Sequence, residues 1–188
     1  MDFIRQELVK YIGILSKVKN IHDSRTRLLI YNAFIYPHFV YGIELFGHAN
    51  EITLRGLAKL QRKFIRLIVG IGYCDSTAQH FENLGVLKIS QLFRYRIMIF
   101  LYKLIHCNQK SSNIEFVQEH LGRSRRAVQR LRPIQIFNPF GTFIIEYFGS
   151  IMWNKAPDWV IQVDKISLLK RNCKAWKELF TIDIYKST

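Results

Sequence analysis

Acid is what this chain is short of. Its 188 residues hold 14 Asp and Glu against 28 Lys and Arg, for a net charge of +14 and a pI near 9.9. Asp2, Asp23, Asp75, Asp158, Asp164 and Asp183 stand singly, each without an acidic neighbour. A two-metal phosphoryl-transfer site needs clustered carboxylates to hold ions roughly 3.5–4 Å apart, and no such cluster is written here. A Gly-rich loop of the G-x-x-x-x-G-K-[ST] kind is missing too, and Gly70-Ile71-Gly72 is too little to cradle a phosphate. The three cysteines, Cys74, Cys107 and Cys173, lie far apart, with no C-x-x-C and no Cys/His spacing suited to zinc. The six histidines have no suitably spaced partners. Ser, His and Asp of a hydrolytic triad meet only in the fold, and no spacing recommends a set. The apolar run Ile97 to Tyr102 is far shorter than the ~20 residues that span a bilayer. These absences predict no catalytic residue, no metal or cofactor and no membrane attachment. Unpaired cysteines without a secretory signal predict an intracellular protein, nuclear or cytoplasmic.

What is present is a substantial apolar complement and much positive charge. At 49% hydrophobic and 14% aromatic, the chain can build a core. Its length suits one large or two small domains. A folded chain this basic points first to nucleic acid and second to an anionic membrane surface.

The charge is most ordered between Leu54 and Val69. In a helix, Leu57, Leu60, Phe64, Ile65, Leu67 and Ile68 form one broad apolar face. Arg55, Lys59, Arg62 and Arg66 form a stripe opposite, with Lys63 beside it and no acid to neutralise it at i,i+4. Such a helix can dock its apolar side and offer charge-assisted donors to phosphates. A solvated outer face of an ordinary core helix is the alternative.

Helical spacing also predicts a first helix over Asp2–Lys17. A second is capped by Asp23 or Ser24 and ends or kinks near Pro37, and a short one follows in the segment from Ile35 to Gly47, buried on most sides. The basic helix stops at Gly70-Ile71-Gly72. Asp75 or Ser76 caps a short helix with Gly85 just past its end. A central helix runs from Ile89 to His106, whose Arg94, Arg96 and Lys103 must reach an edge or a groove. Polar residues from Cys107 to Asn113 mark a loop or boundary. Beyond it Arg123, Arg125, Arg126, Arg130 and Arg132 crowd one segment, read as a nucleic-acid contact, a nuclear-import patch or a solvated basic loop. Ile134, Ile136, Phe143, Ile145 and Tyr147 suggest two strands around Asn138-Pro139-Phe140-Gly141. Ser167–Phe180 reads as a capped amphipathic helix with Leu168, Leu169, Trp176 and Phe180 inward. Lys170, Lys174 and Lys177 face out. The expected fold is mainly α: a helical bundle over 1–110, then over 111–188 a basic segment, a short β-hairpin and a C-terminal amphipathic helix.

Four blocks in series resemble a known family. Tyr36-Pro37-His38-Phe39-Val40-Tyr41-Gly42 with Phe46-Gly47 is similar to P-x-x-x-Y-G…W-G, Phe46 replacing the usual Trp. Leu60-Gln61-Arg62-Lys63 with Arg66-Leu67-Ile68 is similar to L-Q-[KR]-[KR]-x-x-R-x-I. Leu84-Gly85-Val86-Leu87 is followed by Arg94-Tyr95 and Tyr102-Lys103-Leu104-Ile105-His106. Leu131-Arg132-Pro133, Tyr147-Phe148-Gly149 and Trp153-Asn154-Lys155-Ala156-Pro157 close the series, with Ser150 where proline is usual and Ala156 where leucine or isoleucine is usual. From about residue 10 to 180 the chain resembles the C-terminal region of jockey-like non-LTR retrotransposon reverse transcriptases, the thumb and the segment after it.

The resemblance implies a thumb-like helical domain that holds a template–primer duplex of RNA or DNA by its backbone. The [FY]-x-D-D motif of the polymerase palm is not in this sequence, so no catalytic carboxylate carries over, and magnesium would belong to a palm the chain lacks. The zinc knuckle of some relatives is absent as well. The expectation is therefore a non-catalytic, sequence-tolerant nucleic-acid-binding piece, with Arg55, Lys59, Arg62, Lys63, Arg66, Arg123, Arg125, Arg126 and Arg130 as candidate contacts. Two other readings stand beside it. One is an interaction or scaffold fragment, or a degenerate relic, whose apolar faces on the first helix and on Ile89–His106 once met the palm. The other is a polymerase seen only in part.

Overall fold

A computed structural model of the chain describes residues 2–20, 22–41, 43, 51–106, 118–119, 130–131, 145–176 and 179. These are mainly helical, as their periodicity predicts. Packing divides the chain into two compact units, Met1–Leu92 and Phe93–Thr188. The division falls inside a helix rather than in the polar stretch from Cys107 to Asn113.

In the first unit, α1 (Asp2–Val18) packs on α4 (Glu51–Val69). Ile4, Leu8 and Leu15 of α1 and Leu57, Phe64, Ile65 and Ile68 of α4 are buried, each set recurring at helical spacing. α2 (Ser24–Ile30) begins at Asp23, whose carboxylate accepts from the Thr26 amide at 2.9 Å. Hydrogen bonding from the Thr26 side chain, and then from its amide, holds the Asp23 carboxyl below its ordinary value. Arg27, itself buried, donates to the Lys19 carbonyl just past the end of α1 at 2.9 Å. A cation there meets the negative end of the helix dipole.

The kink expected near Pro37 takes a definite form. Proline has no N–H for the helical ladder. The backbone widens into one π-type turn over Tyr31–Ile35, and the Tyr36 amide reaches back to the Tyr31 carbonyl before α3 (Tyr36–Val40) continues. Tyr31, Phe39 and Phe64 meet in a triangle with ring centroids 6.1 to 6.4 Å apart. The segment around α3 is less enclosed than its composition suggests. Ile35, Phe39 and Ile43 are buried, while Tyr41 is exposed and 44–50 lie outside the described residues.

Gln61 is the polar knot of this unit. It lies on the apolar side of α4 and is 1% exposed. Its amide nitrogen donates to the Leu87 carbonyl at 2.8 Å and to the Tyr31 hydroxyl at 3.4 Å, and its oxygen accepts from the Ile89 amide at 3.0 Å. Burial pushes the Tyr31 phenol far above its ordinary pKa, with the Gln61 contact opposing the shift. A buried amide satisfied on both ends fixes where the chain crosses α4.

α4 ends at Gly70, whose φ of +88° reverses the chain. Thr77 holds the N-cap position of the short α5 (Ala78–Asn83) without a side-chain cap hydrogen bond, and the Ala78 amide donates to the hydroxyl of Ser76, one of the two expected caps, at 3.4 Å. Asp75 serves the turn before it, accepting from the Gly72 amide at 2.7 Å. Gly85, φ +63°, follows α5 as expected.

α6 (Ile89–His106) crosses into the second unit. There Phe93 faces Phe148 of α7 (Ile145–Lys155) at 5.2 Å. Gly149 of α7 leaves room for Leu101, because a Cβ there would stand 3.1 Å from its Cδ1. The Tyr102 hydroxyl donates to the Val163 carbonyl at 2.9 Å, and Arg94 donates to the Leu179 carbonyl at 3.2 Å. α8 (Asp158–Ile161) follows Pro157, and the Trp159 carbonyl accepts from Asn172 of α9 (Ile166–Ala175) at 2.7 Å. α9 starts earlier and stops earlier than Ser167–Phe180. It has no side-chain cap, it buries Leu169 and Cys173, and Lys170 and Lys174 are exposed as expected. Leu168 is half-buried, Trp176 is buried just past the helix end, and Lys177 and Phe180 lie outside the described residues. Burial pushes the Cys173 thiol up to about 12.

The hairpin expectation needs correction. Ile145 and Tyr147, read as strand residues, lie in α7, where Tyr147 precedes the buried Phe148. Residues 134–144, with the expected turn, lie outside the described residues. Elsewhere, β1 (Gln118–Glu119) pairs antiparallel with β2 (Arg130–Leu131), Gln118 opposite Leu131 and Glu119 opposite Arg130. Asn154 of α7 clamps that pair, accepting from the Leu131 amide at 2.8 Å and donating to its carbonyl at 2.6 Å.

Candidate nucleic-acid interface

The amphipathic division of α4 sets the geometry. With Leu57, Phe64, Ile65 and Ile68 inward, Arg55, Lys59, Arg62 and Lys63 are exposed and Arg66 is half-buried. Leu60 and Leu67, placed on the apolar face by periodicity, are half-buried at its margins.

A groove of about 510 Å³ runs beside this helix. Lys59, Arg62, Lys63 and Arg66 line it together with Arg5 of α1, Val9, Gly56, Leu60 and Tyr73. Among the described residues that line it, five are basic and none is acidic. The structure thus brings together four of the cations expected to act together. Arg55 lies outside the groove.

Arg5 was not legible as a partner. It sits on α1, and only tertiary packing carries it to α4, where its guanidinium lies over Gly56. A Cβ on Gly56 would stand 3.2 Å from Arg5 Cζ. A glycine inside a helix costs roughly 0.5–1 kcal/mol relative to alanine, but it is not by itself a signal of a close approach, since Gly13 inside α1 has no neighbour within 4 Å of a Cβ built there.

Arg66 is held more tightly than its neighbours. It donates to the Asp75 carbonyl at 3.1 Å, and its guanidinium carbon lies 5.4 Å from the centroid of the Tyr73 ring. Its Nε is enclosed and makes no hydrogen bond. Arg62 donates to the Ala58 carbonyl at 3.3 Å.

A second hollow, about 490 Å³, shares Arg62 and Arg66 and is otherwise lined by residues such as Gln61, Asp75, Thr77, Lys88 and Ser90. Its charge is mixed, so its field is weaker than that of the Arg5 groove.

The second basic group is less defined. Arg123, Arg125 and Arg126 lie outside the described residues. Arg130, expected in a polar loop, belongs to β2. Among the described residues no three His, Cys, Asp or Glu side chains gather as a metal site requires, and no helix is long and apolar enough to cross a membrane.

No family model, no curated protein and no solved structure matches the chain.

Proposed function

We propose that this chain binds the sugar–phosphate backbone of RNA or DNA without reading bases. It does so as a non-catalytic module akin to the thumb and following segment of a jockey-like reverse transcriptase. The observation that carries this is the groove of Arg5, Lys59, Arg62, Lys63 and Arg66, with no acid among its described lining. Cations crowded on one wall repel one another, and a polyanion relieves that repulsion. Arg and Lys placed along a helix suit phosphate contacts, which position a duplex but carry no sequence information. The resemblance supports the reading because its most basic block, Leu60 to Ile68, falls on α4. In this reading the helices that line the groove are thumb-like, the partner is a template–primer duplex, and the setting is nuclear or cytoplasmic.

The test is a salt titration on a primed RNA template and on an unrelated duplex. Each phosphate contact removed by Lys59→Ala, Arg62→Ala or Lys63→Ala should lower the slope of log K against log salt by about 0.7–0.9, equally on both sequences. Unchanged slopes in all three variants would return the groove to a solvated face without a partner.

A separate observation favours an interaction fragment as the second reading. Phe3, Val9 and Ile14 of α1 are 72%, 56% and 52% exposed. Val9 lines the groove, while Phe3 and Ile14 share another side of α1, and exposed apolar groups there suit a protein neighbour, of which a polymerase palm is the one the resemblance suggests. α6 contributes little to it, being buried along most of its length.

A further inference from the structure

Tyr73 is 77% exposed, yet it is not loosely placed. It belongs to the turn after Gly70, where the chain reverses at φ +88°. On one side of it the Gly72 amide donates to the Asp75 carboxylate at 2.7 Å, and the Asp75 amide donates to the Gly72 carbonyl at 3.4 Å. On the other, Arg66 of α4 ties down the Asp75 carbonyl at 3.1 Å. The same Arg66 covers one face of the Tyr73 ring, 5.4 Å from its centroid. With one face against a guanidinium and most of the residue in solvent, the other face is open. The ring also lines the groove that holds Arg5, Lys59, Arg62 and Lys63.

An aromatic ring pinned beside a row of cations is how proteins hold single-stranded nucleic acid. Phosphates follow the charge, and an unpaired base stacks on the ring whatever its identity. The spacing suits this use. Lys59 to Arg66 spans seven residues of helix, roughly 10 Å at 1.5 Å per residue. A row of that length follows a backbone for only a few phosphates, as a charged groove that tracks a single strand does.

We infer that Tyr73 is a stacking platform for an unpaired base, so that the groove's ligand is a duplex carrying a single-stranded extension rather than a blunt duplex. The inference rests on the backbone-binding reading above and narrows its substrate class. Arg66 acts here as a positioning residue. It holds the turn and polarises the ring from beneath, strengthening the stack on the open face.

The experiment compares two probes, a blunt RNA–DNA duplex and the same duplex with a short single-stranded extension containing 2-aminopurine. The parent should bind the extended probe more tightly and quench the 2-aminopurine. Tyr73→Ala should weaken extended-probe binding by about 5- to 150-fold, the worth of one stacked base, and abolish the quench. Its melting temperature should stay as in the parent, and any loss of blunt-duplex affinity should be clearly smaller than the loss on the extended probe. Tyr73→Phe, which keeps the ring, should behave as the parent. A Tyr73→Ala variant that binds both probes like the parent would overturn the platform, as would one that loses affinity equally for both. Sensitivity of blunt-duplex binding to Arg62→Ala with a silent Tyr73→Ala would overturn the platform alone. Failure of the parent to bind either probe would overturn the platform and the backbone reading together.

Discussion

Helices α4 and α6 are nearly equal in length, 19 and 18 residues, and both carry several basic side chains. They place most of them differently. α4 keeps its apolar residues to one side and leaves Arg55, Lys59, Arg62 and Lys63 in solvent. α6 is apolar almost all round, with Leu92, Phe93, Tyr95, Ile97, Met98, Leu101 and Tyr102 buried. Its Arg94 is half-buried and spends a donor on a backbone carbonyl. A basic residue on a helix enclosed on most sides becomes a structural tie, because an unpaired buried charge is costly. On a one-sided helix such as α4, Lys59 and Lys63 keep their charge in solvent, while Arg66 at the margin ties a backbone carbonyl. The difference lies in how the apolar residues are spaced, not in how many cations there are.

The comparison breaks most visibly at the core positions the two helices share in kind. Phe64→Ala in α4 should cost about 3–5 kcal/mol, and Leu101→Ala in α6 about 2–5 kcal/mol, since both side chains are fully enclosed. Urea unfolding followed by circular dichroism would show it. A loss under about 1 kcal/mol at either would mean that its surroundings collapse around the gap.

A smaller effect is expected at Gln61, the one buried polar residue among the described side chains of α4. Gln61→Met keeps the volume but leaves the Leu87 carbonyl and the Ile89 amide without their partner. Stranding a buried polar group costs about 1–3 kcal/mol. If Gln61→Met were as stable as the parent, the amide would not be what fixes this crossing.

The smallest effects separate the two sets of cations. Arg94→Ala on α6 should destabilise by about 1 kcal/mol through its lost hydrogen bond. Arg62→Ala on α4, an exposed position, should stay within about 0.5 kcal/mol of the parent. Equal melting temperatures for the two variants would erase the distinction between tying and available arginines.

The sequence by itself determined the local features. Helices α1, α4 and α6, the stop at Gly70 and the cap at Asp23 follow from the spacing of apolar residues and the conformational needs of single residues. Those are properties of neighbours within a few positions. The stripe Lys59, Arg62, Arg66 was legible for the same reason: residues three and four apart share a helix face. Where local signals were ambiguous, they misled. Ile145 and Tyr147 alternate as strand residues do, yet they belong to α7, whose Phe148 and Gly149 fit against Phe93 and Leu101. Only the tertiary structure decided what stands across from each element. It seated Arg5 over Gly56, 51 positions along the chain, buried Gln61 against Leu87, and turned Tyr73 back onto Arg66. Each of these depends on which helix packs on which, and hence on the burial of many side chains at once. No short window of the chain contains that information.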